Sequence, residues 1–187
     1  MTSSSPPSPV SPQGPGSPGL FHVVLVEPEI PNNTGNIGRT CVATGCALHL
    51  VRPLGFDTSE KACRRAGLDY WPRLRVREHD SWDLFERDVA PPRLWLLTTK
   101  TTRSVFDVTL LRGDALVFGK ETAGLGPEFL SRYPDRLVSL PMMEGERSLN
   151  LATAACTVIY EGIRQLLHRG EIRRNANGRL EVPSTST

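Results

Sequence analysis

Short apolar segments alternate with helical patterns along most of this 187-residue chain. Such segments, rich in Val and Leu, favour strands, which are predicted at residues 21–26, 47–51, 74–76, 94–98, 115–118 and 137–140. Helices are predicted at residues 35–45, 59–66, 81–89 and 127–133, and a longer one begins at Leu151. This alternation predicts an α/β fold, in which helices cover both faces of a mostly parallel sheet.

The last helix has the clearest pattern, because its apolar residues fall on one stripe at helical spacing. The stripe consists of Leu151, Ala155, Val158, Ile159, Gly162, Ile163 and Leu166. Tyr160, Arg164 and Gln165 lie off the stripe and are predicted to face a partner. Gly162 would let that partner approach closely.

Both ends of the chain differ from the part between them. Twelve of the first nineteen residues are Ser or Pro. This composition cannot bury a core, so residues 1–19 are predicted to form a disordered tail. Residues 170–187 are interpreted as a polar C-terminal tail that frays, which leaves residues 20–169 as the folded domain.

Composition limits the class of protein. The net charge of +2 does not by itself indicate nucleic-acid binding, although several arginines cluster in the sequence. The four cysteines have no C-x-x-C spacing and are interpreted as free, mostly buried thiols in a reducing, cytoplasmic setting. No apolar window is long enough to span a membrane, and no signal-peptide pattern is present.

Common catalytic motifs do not fit. Residues 113–120 resemble a P-loop, but one residue too many separates the glycines, and Glu121 replaces the Ser or Thr that would hold magnesium. No dinucleotide-binding turn or nucleophile elbow occurs. The histidines are interpreted as unconnected core or surface residues, and no metal site is predicted. They are His22, His49, His79 and His168.

Three polar loops that contain glycine are associated with predicted strands. They span residues 27–39, 119–126 and 140–150. Because α/β sheets build ligand sites at strand ends, these loops are expected to form one composite site. Asn33 or Thr34 would cap the first helix, and Ser148 would cap the last.

The order of these motifs resembles that of a known family. The chain reads EPEIPNNTGNIGR from Glu27, LTTK from Leu97, FGKETAGL from Phe118 and PMMEGERSLNL from Pro141. It is similar to the SPOUT class of S-adenosylmethionine-dependent RNA methyltransferases. More narrowly, it resembles the bacterial tRNA 2′-O-methyltransferases that act on the wobble nucleotide, position 34, and residues 64–70 also match that subgroup.

The resemblance implies a C-terminal trefoil knot, a homodimer, the anticodon stem-loop of tRNA as partner, and no metal. It implies that Arg39 acts near the ribose 2′-hydroxyl, with Asn33, Ser148 and Asn150 positioning the reacting groups. Glu121 would either fix its loop or contact the cofactor. The residues implied to bind S-adenosylmethionine are Leu97, Thr98, Gly119, Glu121, Leu140, Met142, Ser148 and Leu149.

Two questions stay open at this point. A guanidinium keeps its proton in proteins, so Arg39 could act as a base only with help from a local phosphate, or it could stabilise the alkoxide electrostatically. The chain could also methylate another tRNA position or ribosomal RNA, or bind RNA without activity.

Overall fold

The computed structural model describes residues 19–65 and 67–183. The predicted disordered tail falls on residues 1–19, of which residues 1–18 lie outside the described part. Six parallel strands form one sheet in the order β3-β2-β1-β5-β4-β6. The strands are β1 His22–Val26, β2 Ala47–Val51, β3 Val76–His79, β4 Leu94–Leu97, β5 Ala115–Phe118 and β6 Leu137–Val138. The helices are α1 Pro31–Thr44, α2 Glu60–Arg65, α3 Trp82–Val89, α4 Pro127–Arg132 and α5 Leu151–His168.

The sheet is covered on both faces, as predicted. Alternate residues of a strand point to opposite faces, so Val23 and Leu25 join the core under α1 and α5. Val24 and Val26 join a second apolar cluster, which contains residues of α3 and α4. The α/β prediction is therefore confirmed, whereas the trefoil knot stays a prediction.

The partner-facing interpretation of α5 is wrong for two residues. A Cβ atom on Gly162 would lie 2.5 Å from the Phe21 ring, so this glycine permits close packing within the chain itself. Gln165 is only 8% exposed, because its side chain accepts from the Leu110 N–H at 2.8 Å and donates to the Val108 carbonyl at 3.0 Å. Tyr160 and Arg164 are exposed, and that they face a partner stays a prediction.

The first helix begins earlier than predicted. α1 starts at Pro31, whose fixed φ suits the first helical position, and Ile30 precedes it without a side-chain cap. Asn33 and Thr34 therefore lie inside the first turn and are not caps. The third strand is also shifted, to Val76–His79 from residues 74–76.

The segment after α5 does not simply fray. Arg173–Arg174 and Leu180–Glu181 form an antiparallel hairpin, with strands β7 and β8. Ile172, just before it, is 1% exposed and belongs to the main core. One buried isoleucine anchors a segment whose average composition is polar.

The cysteines are free thiols, as predicted: Cys41, Cys46 and Cys63 are buried, and Cys156 is partly buried. Among residues 19–65 and 67–183, no group of three or more His, Cys, Asp or Glu side chains is arranged to hold a metal. No helix in the same ranges has the length and apolar character needed to cross a membrane.

Three of the histidines are connected, which corrects the sequence interpretation. Nε2 of His49 lies 3.0 Å from Nδ1 of His22, and Nδ1 of His49 lies 3.0 Å from Nε2 of His79. Adjacent strands β1, β2 and β3 carry them, and the Phe85 ring packs edge-on against His49 and His79. Burial lowers the pKa of His49 to about 2 and also lowers the pKa values of His22 and His79.

This histidine chain predicts a loss of stability in mild acid. Below about pH 6.5 the unfolded chain binds protons that the folded chain excludes, so the stabilisation present above that pH is lost as the pH falls. Each such histidine lowers the free energy of unfolding by up to about 1.4 kcal/mol per pH unit. Urea unfolding at pH 7.5 and 5.5 should show this slope, and His49→Gln should flatten it. His168→Gln, at an exposed site, should keep the wild-type slope; equal slopes in all three proteins would contradict the prediction.

Candidate functional site

The three predicted loops lie together around one cavity of about 460 Å³ at the carboxyl ends of β4 and β5. Parallel strands all end at the same edge, so the loops that follow them meet there. Every residue that the resemblance implied for cofactor binding lines the cavity, as do three of the four implied catalytic residues. These lining residues are Leu97, Thr98, Gly119, Glu121, Leu140, Met142, Ser148 and Leu149, with Asn33, Ser148 and Asn150 of the catalytic set.

Two carboxylates join the first loop to the second. Glu121 accepts hydrogen bonds from the Glu29 N–H at 2.8 Å and from the Asn33 side-chain amide at 3.0 Å. Glu29 in turn accepts from the N–H and the hydroxyl of Thr122, both at 3.0 Å. This reciprocal pairing holds the start of α1 against the second loop. Of the two roles considered for Glu121, its observed contacts match that of fixing its loop.

A third link between these loops is an ion pair. The Lys120 ammonium lies 2.9 Å from the Glu27 carboxylate, and this hydrogen bond raises the pKa of Lys120. Glu27 itself has a φ of 51°, a left-handed conformation that is uncommon outside glycine. The chain therefore turns sharply at the end of β1 and directs the following residues toward the second loop.

Asn33 connects the first two loops to the third. Its side-chain oxygen accepts from the Asn150 side-chain amide at 2.9 Å, while its own amide group donates to Glu121. Asn150 also caps α5, because its side-chain oxygen accepts from the N–H groups of Ala152 and Thr153. The prediction that Ser148 caps α5 is wrong. Ser148 lines the cavity instead.

The third loop presents open backbone groups. Within the described part of the chain, only one N–H group of residues 140–149 donates a hydrogen bond. It belongs to Glu146 and donates to the Met143 carbonyl at 3.2 Å. Backbone donors and acceptors are obligatory hydrogen-bonding groups. This loop therefore offers a row of them to water or to a ligand in the cavity.

Arg39 lies elsewhere. It follows Asn33 by six residues, which on a helix amounts to about 9 Å along the axis and about 240° around it. Its guanidinium packs 4.5 Å from the centre of the Tyr70 ring and 3.8 Å from Asp69, and its side chain is 62% exposed. It lines a second cavity of about 250 Å³, here called the Tyr70 cavity, between α1 and residues 56–71.

The pairing of Glu29 with Thr122, which holds the first two loops together, was not predicted from the sequence. Both lie inside the quoted motifs, but nothing in their spacing shows that they pair across 93 positions. The aromatic walls of the Tyr70 cavity were not predicted either, because residues 64–70 carried only a family resemblance and no expected contact.

A parallel sheet whose loops close around one cavity defines an α/β protein with a ligand site at the strand ends. Comparison with known proteins identifies the family. The sequence profile of the SpoU rRNA Methylase family matches residues 20–160. The chain belongs to this family, for which dependence on S-adenosylmethionine is general, and the class inferred from the motifs is confirmed.

Three similar proteins illustrate the relationship. A tRNA (cytidine(34)-2′-O)-methyltransferase of Saccharophagus degradans is 50% identical over 148 residues, which cover 79% of this chain and 96% of the relative. A solved structure from work on the 2-OH methylation of C/U34 on tRNA is 43% identical, with a TM-score of 0.74. The match covers 82% of this chain and 100% of the solved chain. The SpoU methyltransferase AviRb of Streptomyces viridochromogenes, solved with the cofactor AdoMet, is 27% identical, with a TM-score of 0.67, and the match covers 82% of this chain and 63% of AviRb.

Proposed function

We propose that this protein transfers a methyl group from S-adenosylmethionine to the ribose 2′-hydroxyl of the wobble nucleotide, position 34, of tRNA. The observation that carries the proposal is the convergence of the three motif loops on one cavity, linked through Asn33. This chain aligns with nearly the whole length of the relatives named for cytidine-34 methylation. The same site is therefore expected to perform the same reaction.

The cavity at the ends of β4 and β5 fits S-adenosylmethionine. Its volume of about 460 Å³ lies within the range of cofactor sites. Leu97 and Leu140 supply apolar surface for a flat base, and the unpaired backbone of the third loop supplies hydrogen bonds to its edge. A Cβ atom on Gly119 would overlap the backbone of Gly124 and Leu125, so the second loop is packed as closely as glycine allows. When bound, the cofactor supplies a methyl group already activated on a sulfonium.

The chain must then align the ribose and assist the loss of one proton. Ser148 and Asn150 line the cavity and would orient the ribose, and Asn33 would hold Asn150 in place. We assign Arg39 an electrostatic role, because a guanidinium keeps its proton and stabilises a developing alkoxide or an adjacent phosphate. The 2′-hydroxyl proton would then leave to solvent water.

We also propose a homodimer that binds the anticodon stem-loop and works in the cytoplasm. Arg39 and the cofactor cavity lie on different sides of α1, so a substrate that uses both must cross the first turn of this helix or lie between two protomers. The exposed Tyr160 and its neighbours on α5 supply a surface for the second protomer.

The proposal is tested by mapping ribose methylation in tRNA and ribosomal RNA from cells with and without the gene. Loss of methylation at position 34 of tRNA alone is the expected result. Purified protein with S-adenosylmethionine should restore the mark on tRNA from the deficient cells. Loss at a ribosomal position, or at another tRNA position, would assign a different substrate, and the absence of any change would refute the proposal.

A further inference from the structure

The Tyr70 cavity contains a hydroxyl that is left unpaired. Thr34 lines the cavity and is 1% exposed, and its hydroxyl has no partner among the described residues. The other two threonines of α1 donate to carbonyls four residues earlier, Thr40 at 3.1 Å and Thr44 at 2.7 Å. Because a buried unpaired hydroxyl costs stability, it calls for a functional explanation.

The walls of the cavity are aromatic and cationic. Phe56 and Trp71 line it as partly exposed rings, whereas Tyr70 is only 3% exposed. The exposed Arg39 guanidinium packs over the Tyr70 ring at 4.5 Å and supplies the cationic surface. Proteins that bind single-stranded RNA stack unpaired bases on aromatic rings and on arginine planes. The walls therefore match one face of a nucleobase.

The rim of the cavity offers amide groups. Asn32 and Asn36 are exposed on α1, and their side chains make no hydrogen bond within residues 19–65 and 67–183. Asparagine can donate and accept, as the edges of bases require. Asp57 is engaged differently, since its carboxylate accepts from the N–H and the hydroxyl of Ser59.

The size of the cavity fits one base. Its volume of about 250 Å³ is little more than half the 460 Å³ of the cofactor cavity, which suits a ligand smaller than S-adenosylmethionine, such as a single base. Asn33 lines the cofactor cavity, while its neighbours Asn32 and Thr34 line the Tyr70 cavity. A base bound here would thus lie across the first turn of α1 from the methyl-transfer site.

We propose that the Tyr70 cavity binds one unstacked nucleobase of the anticodon loop and so selects the RNA that is methylated. This inference rests on the proposed function and adds the site that recognises the substrate. Arg39 would then contact the nucleotide held in the cavity.

Two substitutions test the cavity by kinetics. Thr34→Val removes the unpaired hydroxyl at nearly constant volume, and Ala62→Leu fills space in the cavity from α2. Each should raise the KM for an anticodon stem-loop by about tenfold, while the Kd for S-adenosylmethionine stays at the wild-type value. Thr34→Val should unfold at the same or a higher urea concentration, so a loss of RNA affinity could not be ascribed to instability. Ala176→Leu, at an exposed site of the C-terminal hairpin, is the matched control and should have the wild-type KM.

Photo-crosslinking tests the contact directly and independently of turnover. Stem-loops with a single 4-thiouridine, placed at each loop position in turn, should crosslink at one position to the peptide that contains Tyr70 and Trp71. The crosslink should be lost in Ala62→Leu and kept in Ala176→Leu.

Wild-type KM values for both variants, with crosslinks only to other peptides, would overturn the inference while leaving wobble methylation by the wild type intact. A second outcome would also overturn the inference. If Ala62→Leu loses the dimer mass by light scattering and the wild type shows no crosslink, a second copy of the chain occupies the cavity. Failure of the proposed function would appear separately, as absent methylation at position 34 by the wild-type protein.

Discussion

Replacing Arg39 with alanine is expected to lower the kcat of tRNA methylation by about 100- to 1,000-fold, while the Kd for S-adenosylmethionine stays at its wild-type value. The two effects separate because Arg39 does not line the cofactor cavity. Its side chain is 62% exposed, and its contacts are one long ion pair with Asp69 and packing over the Tyr70 ring, so the fold loses little when it is truncated. Calorimetry with the cofactor and single-turnover kinetics at saturating tRNA measure the two quantities.

Two further variants sharpen this experiment. Arg39→Lys keeps the charge but loses the planar, two-pronged guanidinium, so it should recover only part of the rate. Arg87→Ala removes a comparably exposed arginine from α3 and should retain full activity. Near-normal turnover by Arg39→Ala would refute a central role for this residue. A loss of cofactor affinity equal to the loss of rate would show that Arg39 acts by organising the cofactor cavity.

The parts of the site that the sequence predicted are those encoded locally. Glycines and small polar residues after apolar strands identified the loops, and the parallel sheet brings strand ends together whatever the details of packing. The residues implied for cofactor binding therefore lie around one cavity. The start of α1 was harder to predict, because Asn33 and Thr34 resemble caps while Pro31 already occupies the first turn.

The parts that were missed depend on contacts between distant segments. His22, His49 and His79 meet only through the register of three parallel strands, which no single segment determines. Gln165 looks like a surface residue of α5 until residues 108–110 supply partners for both ends of its amide. Tyr70 likewise forms a cavity wall only once residues 56–71 fold over α1.

The tight packing of the second loop leads to the other large expected effect. Gly119→Ala should weaken S-adenosylmethionine binding by at least about 100-fold, because the added methyl group would overlap backbone atoms of Gly124 and Leu125 and must push them apart. Those residues line the cavity, and Glu121 beside them holds the start of α1, so the displacement reaches all three loops.

A second glycine of the same chain provides the control for this experiment. At Gly35, inside α1, an added Cβ would make only ordinary contacts, the nearest at 3.4 Å from Leu68 and Tyr70. Gly35→Ala should therefore bind the cofactor normally and gain about 0.5–1 kcal/mol in the free energy of unfolding from the better helix former. Calorimetric titration of both variants, with urea unfolding of each, decides the matter. Gly119→Ala could instead bind S-adenosylmethionine as tightly as Gly35→Ala does. Cofactor binding would then not depend on the close packing of the second loop and must rest on the open backbone of the third loop.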